Sequence, residues 1–340
     1  MRSFILFTFF LASWALAQPA SRETPPSSPA PATNPAQHES DHDPEEDARL
    51  NPGRIEFDPS RPASIETKRL KAGLLLVRPK VNGHAAGWFI FDTGAGICVI
   101  STPKTESLHL APDGKIEGAG VGGSAMMSLF RADTLSLGRV TLHDCRLMQT
   151  DLSFLKQYLG EEIEGIIGYD MLARCVVEIE VGAPESNPRI EMHDPKGYSL
   201  AKGSWQELQV KGRIPCVAAR FEDHDGLFRL DCGADGFVTI HEPSVRKWDL
   251  LKDRDVKDAK LGGVGGVVAA KSGTLAWFEL AGVRRENIPA KFAIEAKGNF
   301  ADENKDGNIG AELLRPFRVV LDYSGHRVAF VPRDGKQVTR

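Results

Sequence analysis

At 340 residues the chain exceeds one typical domain and suits one large domain or two moderate ones. With 41% hydrophobic and 26% charged residues it can bury a substantial core, which excludes disorder throughout. The formal charge of −4 is unevenly placed: Glu23, Glu39, Asp41, Asp43, Glu45, Glu46 and Asp47 face only Arg22 and Arg49 within residues 18–50, and the body beyond is balanced. A neutral body has no basic excess for nucleic acid or anionic lipid, so neither is an expected partner.

Residues 1–17 read as a signal peptide. Arg2 supplies the positive end, Phe4 to Trp14 the apolar run, and Ala15-Leu16-Ala17 the small-residue cleavage site. The run falls short of the roughly 20 apolar residues of a membrane span, and no later segment qualifies. The mature protein is therefore expected to be exported, periplasmic or extracellular, with no membrane span after cleavage. Residues 18–50, rich in Pro, Ala and acids, read as a disordered linker or pro-like arm. From residue 51 the pattern turns to short apolar runs punctuated by Gly, as in Leu74–Val77, Trp88–Phe91 and Cys98–Ile100. Helical spacing is confined to Pro103–Leu110, Ser153–Leu159 and Pro243–Leu251. The chain is predicted to be mostly β.

The second part of the chain repeats the first. Gly87-Trp-Phe-Ile-Phe-Asp92-Thr93-Gly94-Ala95 recurs as Gly226-Leu-Phe-Arg-Leu-Asp231-Cys232-Gly233-Ala234. A Pro-led helix follows each copy, at Pro103 and Pro243, and then Val121-Gly122-Gly123 and Val264-Gly265-Gly266. Gly165-Ile-Ile-Gly168 recurs as Gly307-Asn-Ile-Gly310, and each copy closes on a β pair, Cys175–Glu180 with Arg189–His193 and Phe317–Tyr323 with Arg327–Val331. Landmarks in one order at nearly constant offset imply a tandem duplication. Residues 51–200 are expected to form an N-terminal lobe and residues 201–340 a C-terminal lobe.

Each repeated Asp ends an apolar strand and precedes a small residue and Gly. A carboxylate there is costly to desolvate unless something pairs with it. Equivalent points of a duplicated fold can meet across a pseudo-twofold axis, and two carboxylates so placed share one proton. At these residues the sequence resembles the aspartic peptidases, the bacterial retropepsin-like and pepsin-like group, over roughly residues 68–332. The resemblance implies a duplicated acid-protease fold of two β-barrel-like lobes. It implies catalysis by Asp92 and Asp231, with Thr93, Gly94, Cys232 and Gly233 supporting the dyad loops. It also implies a polypeptide substrate, an activated water and no cofactor or metal; a monomer is expected. Two positions depart from the family pattern: Cys232 replaces Thr or Ser, and Asn308 replaces an apolar residue. Cys232 keeps open a second reading, a weakly active or non-catalytic peptide-binding protein of the same fold.

Gly118-Ala-Gly120-Val-Gly-Gly123 spells a dinucleotide-type G-x-G-x-x-G but lacks a βαβ context. With Gly262–Gly266 at the equivalent place, both read instead as hairpin tips covering a cleft. Gly120, Gly122, Gly123, Gly263, Gly265 and Gly266 are then the substrate-binding flaps. Asp302 to Gly307 begins like a calcium loop, but Leu313 stands where the bidentate Glu belongs, so a polar turn is expected. Five cysteines at long gaps, with no C-x-x-C, suggest no zinc site and fix no disulfide.

Overall fold

The expected β-rich body is present in the computed structural model, whose described residues are 53–70, 73–121, 123–183 and 186–333, with the backbone of Phe7–Phe10. Apart from that short strand, the signal peptide of residues 1–17 and the arm of residues 18–50 lie outside the described residues. In the first half the strands that position the Asp motif are β1 (Leu75–Val77), β2 (Phe89–Phe91), β3 (Val99–Ser101), β4 (Ala111–Gly120), β5 (Gly123–Leu137), β6 (Val140–Thr150) and β7 (Gly165–Ile167). Val176–Glu180 (β8) and Arg189–His193 (β9) follow. The second half runs β10 (Ile214–Phe221), β11 (His224–Leu230), β12 (Val238–Ile240), β13 (Lys257–Gly263), β14 (Gly266–Leu280), β15 (Val283–Ala293), β16 (Gly307–Ile309), β17 (Phe317–Asp322) and β18 (Arg327–Pro332).

The strands of each half pair in one order. In the first sheet β2 runs parallel to β7 with Ile90 opposite Ile166, β7 is antiparallel to β3, and β3 is parallel to β6. In the second, β11 runs parallel to β16 with Arg229 opposite Asn308, β16 is antiparallel to β12, and β12 is parallel to β15. Strands β2, β3 and β7 are buried on both faces, which is why they read as unbroken apolar runs rather than as alternation. Toward the C-terminal ends of the longer β5 and β14, Ala132, Leu135 and Leu137, or Leu275, Phe278 and Leu280, turn inward, and β14 also buries Val268 and Ala270 near its start. Their other ends project as hairpins with β4 and β13. The curled sheets are those of a β-barrel-like acid-protease fold.

The two closing β pairs do not stay with their own halves. β8 pairs antiparallel with β17, so the order β9-β8-β17-β18, extended by Gln206–Glu207, makes one five-stranded sheet. Repeat analysis could locate both pairs but not their union, because register between distant strands is set by packing.

The Pro-led helices form at Thr102–Ser107 and Glu242–Lys247, with Pro in the first turn where its missing N–H costs nothing. Both end earlier than their apolar spacing suggests. The chain turns left-handed at His109 and Asp249, each with φ 49°, and neither helix can continue through it. The third helical segment begins as a 3₁₀ turn, Ser153–Leu155, and ends at Gly160.

Among the ion pairs that join the halves, two stand at equivalent positions. After Ile167-Gly168, Asp170 accepts from Arg213 Nη2 at 2.5 Å and from the Cys98 backbone N–H at 2.6 Å. After Ile309-Gly310, Glu312 is paired in the same way with Arg69 of the first half. Each acid thus holds an arginine from the opposite half, and Asp170 and Arg213 are both buried.

Candidate active site

Asp92 leaves the end of β2 and Asp231 the end of β11, each held by the same backbone frame. The Asp92 N–H donates to Ile167 O and the Asp231 N–H to Ile309 O, both at 3.0 Å. The following turns then dock on the Ile-Gly elements, through Tyr169 N–H to Ala95 O at 2.8 Å and Ala311 N–H to Ala234 O at 3.0 Å. Two carboxyl groups 139 residues apart in sequence are thereby brought into side-chain hydrogen-bond contact, both fully buried.

The motif glycines make that approach possible. A Cβ on Gly94 would lie 2.5 Å from Asp231 Cγ, and one on Gly233 would be closer still to the Asp92 carboxyl. Each carboxyl therefore rests over the other motif's glycine, where any side chain would displace it.

Thr93 and Cys232 lock the two loops reciprocally. Thr93 Oγ1 donates to Leu230 O at 2.7 Å and accepts from the Cys232 N–H at 3.0 Å. Cys232 Sγ donates to Phe91 O at 3.3 Å. Phe91 and Leu230 occupy equivalent positions, so the thiol makes the counterpart of the threonine's bond. Burial pushes this thiol up to about 12, so it stays protonated and available as a donor. All five cysteines are buried free thiols.

The oxygens of the pair are unequally served. Asp92 Oδ1 accepts from the Gly94 N–H at 2.7 Å, and Asp231 Oδ2 from Asn308 Nδ2 at 2.9 Å. Asp92 Oδ2 and Asp231 Oδ1 are buried without such a donor. Burial, and then the charge of Asp231, push Asp92 well above the usual carboxylate range. Burial pushes Asp231 up to about 6, and the Arg229 guanidinium opposes the rise. Arg229 is itself buried and donates through Nη2 to Gly94 O at 3.1 Å.

These shifts carry a sign for stability. Both aspartates bind protons more tightly folded than unfolded, so their contribution is full below about pH 4; that of Asp231 is lost as pH rises through about 6, and that of Asp92 as pH rises through its own raised value. His241, held down to about 4 by burial and by Arg229, acts oppositely: its contribution is full above the ordinary histidine value of 6.5 and lost toward pH 4. Melting temperatures of the wild type and of an Asp92→Asn/Asp231→Asn double variant, taken from pH 4 to 8, separate the two. The double variant should lose the alkaline decline and keep the acid one; an unchanged alkaline slope would show that the pair is not the source.

The hairpin tips lie as reciprocal contacts between the halves. Gly120 pairs with Gly123 at the end of the first hairpin and Gly263 with Gly266 at the end of the second; Gly265 lies in the second turn, and Gly122 is outside the described residues. The Val121 N–H donates to Val264 O at 3.0 Å, joining tip to tip. Val121 packs into a second-half cluster with Ala234, Leu261 and Phe300, and Val264 into a first-half cluster with Met148, Leu152 and Leu155. A cavity of about 310 Å³ lies between the second tip and the side chains of Phe154 and Tyr158. In the candidate calcium loop, Asp302 is bound to Lys305 Nζ at 2.7 Å and Asp306 to Ser244 Oγ at 2.7 Å, as in a polar turn.

Sequence reasoning missed Arg229 and His241 beside the pair. The repeat carried a signal for Arg229, since a charged residue stands there where the first copy has Ile90.

A family model described as aspartyl protease matches residues 77–171, a stretch that includes Asp92-Thr93-Gly94 and Ile166-Ile167-Gly168 and stops short of Asp231. No curated protein matches the chain.

Proposed function

We propose that the protein is an exported aspartic-type endopeptidase in which Asp92 and Asp231 act as one proton-sharing pair on an activated water. The reading is supported above all by the two buried carboxyls in side-chain contact, each seated over the other motif's glycine. The aspartyl protease match over residues 77–171 supports a peptidase and hence a polypeptide substrate. The recurring pairing order of the two sheets supports a tandem duplication, with residues 51–200 and 201–340 as its lobes and the hairpins around Val121 and Val264 as flaps. Residues 1–17 are the proposed export signal, and a monomer suffices because one chain supplies both aspartates.

With one proton on the pair, the ionised carboxylate removes a proton from water as its oxygen adds to the peptide carbonyl. The protonated partner gives its proton to the carbonyl oxygen. The tetrahedral diol collapses when the newly protonated acid passes its proton to the departing nitrogen and the other takes one from a diol hydroxyl. Both carboxyls then stand as they began. This chemistry draws only on the two carboxyls and water.

The test is digestion of an unfolded protein and a peptide library, with products mapped by mass spectrometry, with and without a transition-state-type aspartic peptidase inhibitor. Inhibitor-sensitive internal cleavage is expected. Its rate against pH should be bell-shaped, with the acid limb above the usual carboxylate range because burial raises both groups. Saturable peptide binding without cleavage at any pH would replace the enzyme with a peptide-binding protein.

A further inference from the structure

Strand register lays one row of side chains across the second sheet, on the face that meets Asp231. From β13 to β11 the row runs Lys257, Ser272, Lys291, Thr239, Asn308 and Arg229, each directly opposite the next and so on one face. Its inner end touches the pair, since Asn308 Nδ2 donates to Asp231 Oδ2 at 2.9 Å. Lys291 stands two strands further out, roughly 10 Å from Asn308 at about 4.8 Å per strand. In the first half the matching positions are Met148, Val99, Ile166 and Ile90, buried together in one apolar cluster. The same row is thus an apolar wall beside Asp92 and a polar, cationic one beside Asp231.

The outer four residues of the row line a cavity of about 590 Å³, with Asp235 and Asp255 among its other walls. Lys291 is only 8% exposed, and its Nζ is buried without a hydrogen-bond partner. Asp235 favours the charged form without hydrogen-bonding it, and burial outweighs that help, lowering Lys291 to about 8. The ammonium is therefore charged where Asp231 titrates, at about 6. An ammonium can only donate, so the cavity is short of an acceptor, and an ionised acceptor makes the stronger bond. We propose that this cavity is a subsite for an acidic side chain of the substrate, whose carboxylate pairs with Lys291. The inference rests on the hydrolytic reading above and narrows its substrate. Cleaved chains carry Glu or Asp on one side of the scissile bond only, about three residues from it at about 3.3 Å per residue. Lys257 adds a second cation at the rim, while Asp235 and Asp255 repel any carboxylate that is not seated on Lys291.

The experiment uses octapeptide libraries with Glu, Gln or Lys fixed at each position in turn, and two readouts. One is cleavage by the wild type; the other is equilibrium binding to the Asp92→Asn/Asp231→Asn double variant, which retains Lys291. Both should prefer Glu over Gln about tenfold, which is about 1.4 kcal/mol, at one position or two adjacent ones. Lys291→Met should bring that ratio to about one, and Lys291→Glu should turn the preference toward Lys. Methionine removes a buried charge that has no hydrogen-bond partner, so the melting temperature should not fall. The ¹³Cε titration of Lys291 should move up from about 8 when a Glu peptide is bound and stay in place with its Gln twin. Glu and Gln libraries treated alike in both readouts, a preference for Gln, or a Glu preference that survives Lys291→Met overturns the subsite. If the wild type cleaves nothing while the double variant still selects Glu through Lys291, the hydrolytic reading fails by itself and the subsite stands.

Discussion

Asp92→Asn and Asp231→Asn should each reduce turnover by about 10³-fold or more, the scale of a lost general acid or base. An amide at either position can neither accept the proton of water nor return one to the leaving nitrogen. One carboxyl cannot fill both roles in one cycle, so the single variants should be nearly as inactive as the double. Folding should survive, because asparagine is nearly isosteric and removes a buried charge whose desolvation opposes folding at neutral pH. The measurement is kcat/KM on a cleaved peptide beside a melting curve. A folded single variant with more than about a tenth of wild-type turnover would remove that residue from the chemistry.

The largest stability effect should come from Asp170→Ala. Asp170 accepts from Arg213 Nη2 at 2.5 Å and from the Cys98 N–H at 2.6 Å, and its loss leaves a guanidinium buried over the Tyr169 ring, 4.7 Å from its centroid. Breaking a buried pair on one side costs about 3–5 kcal/mol, which for a chain of this size lowers Tm by roughly 10 °C. The double variant Asp170→Leu/Arg213→Met, apolar on both sides, should recover most of that loss. Denaturant titration of the three proteins decides it. A single-variant cost below about 1 kcal/mol would mean that the pair does not join the halves.

The strands around the first Asp motif were legible because they are buried on both faces and so stand out as apolar runs. The repeat located the two aspartates as equivalents; it could not say that their carboxyls touch, which depends on how the halves dock. Cys232 and Asn308 were visible only as departures from a pattern. In the structure the thiol makes the threonine's bond to the opposite backbone, and the amide reaches the Asp231 carboxyl. His241 gave no usable signal, since its partners Asn308 and the Lys305 carbonyl lie more than sixty residues away in sequence and come into reach only through β-sheet pairing. Asp170 and Glu312 were hidden for a similar reason: each looks like an ordinary first-turn helix acid until the arginine of the other half is in place.

The linked tips make the resting protein a latched one. If the tips act as the proposed flaps, admitting a chain breaks the Val121–Val264 bond and draws both valines out of apolar clusters that belong to the opposite half. A buried valine is worth about 1.5–3 kcal/mol and the bond about 1 kcal/mol, so parting the tips costs roughly 4–7 kcal/mol before any chain enters. A ligand that returned nothing for this would bind about 10³- to 10⁵-fold more weakly than its contacts alone allow. A chain that lays extended backbone along the tips and apolar side chains where the valines sat recovers most of the loss. On the proposed function, such a latch selects against folded or strongly polar chains before they reach the carboxyls.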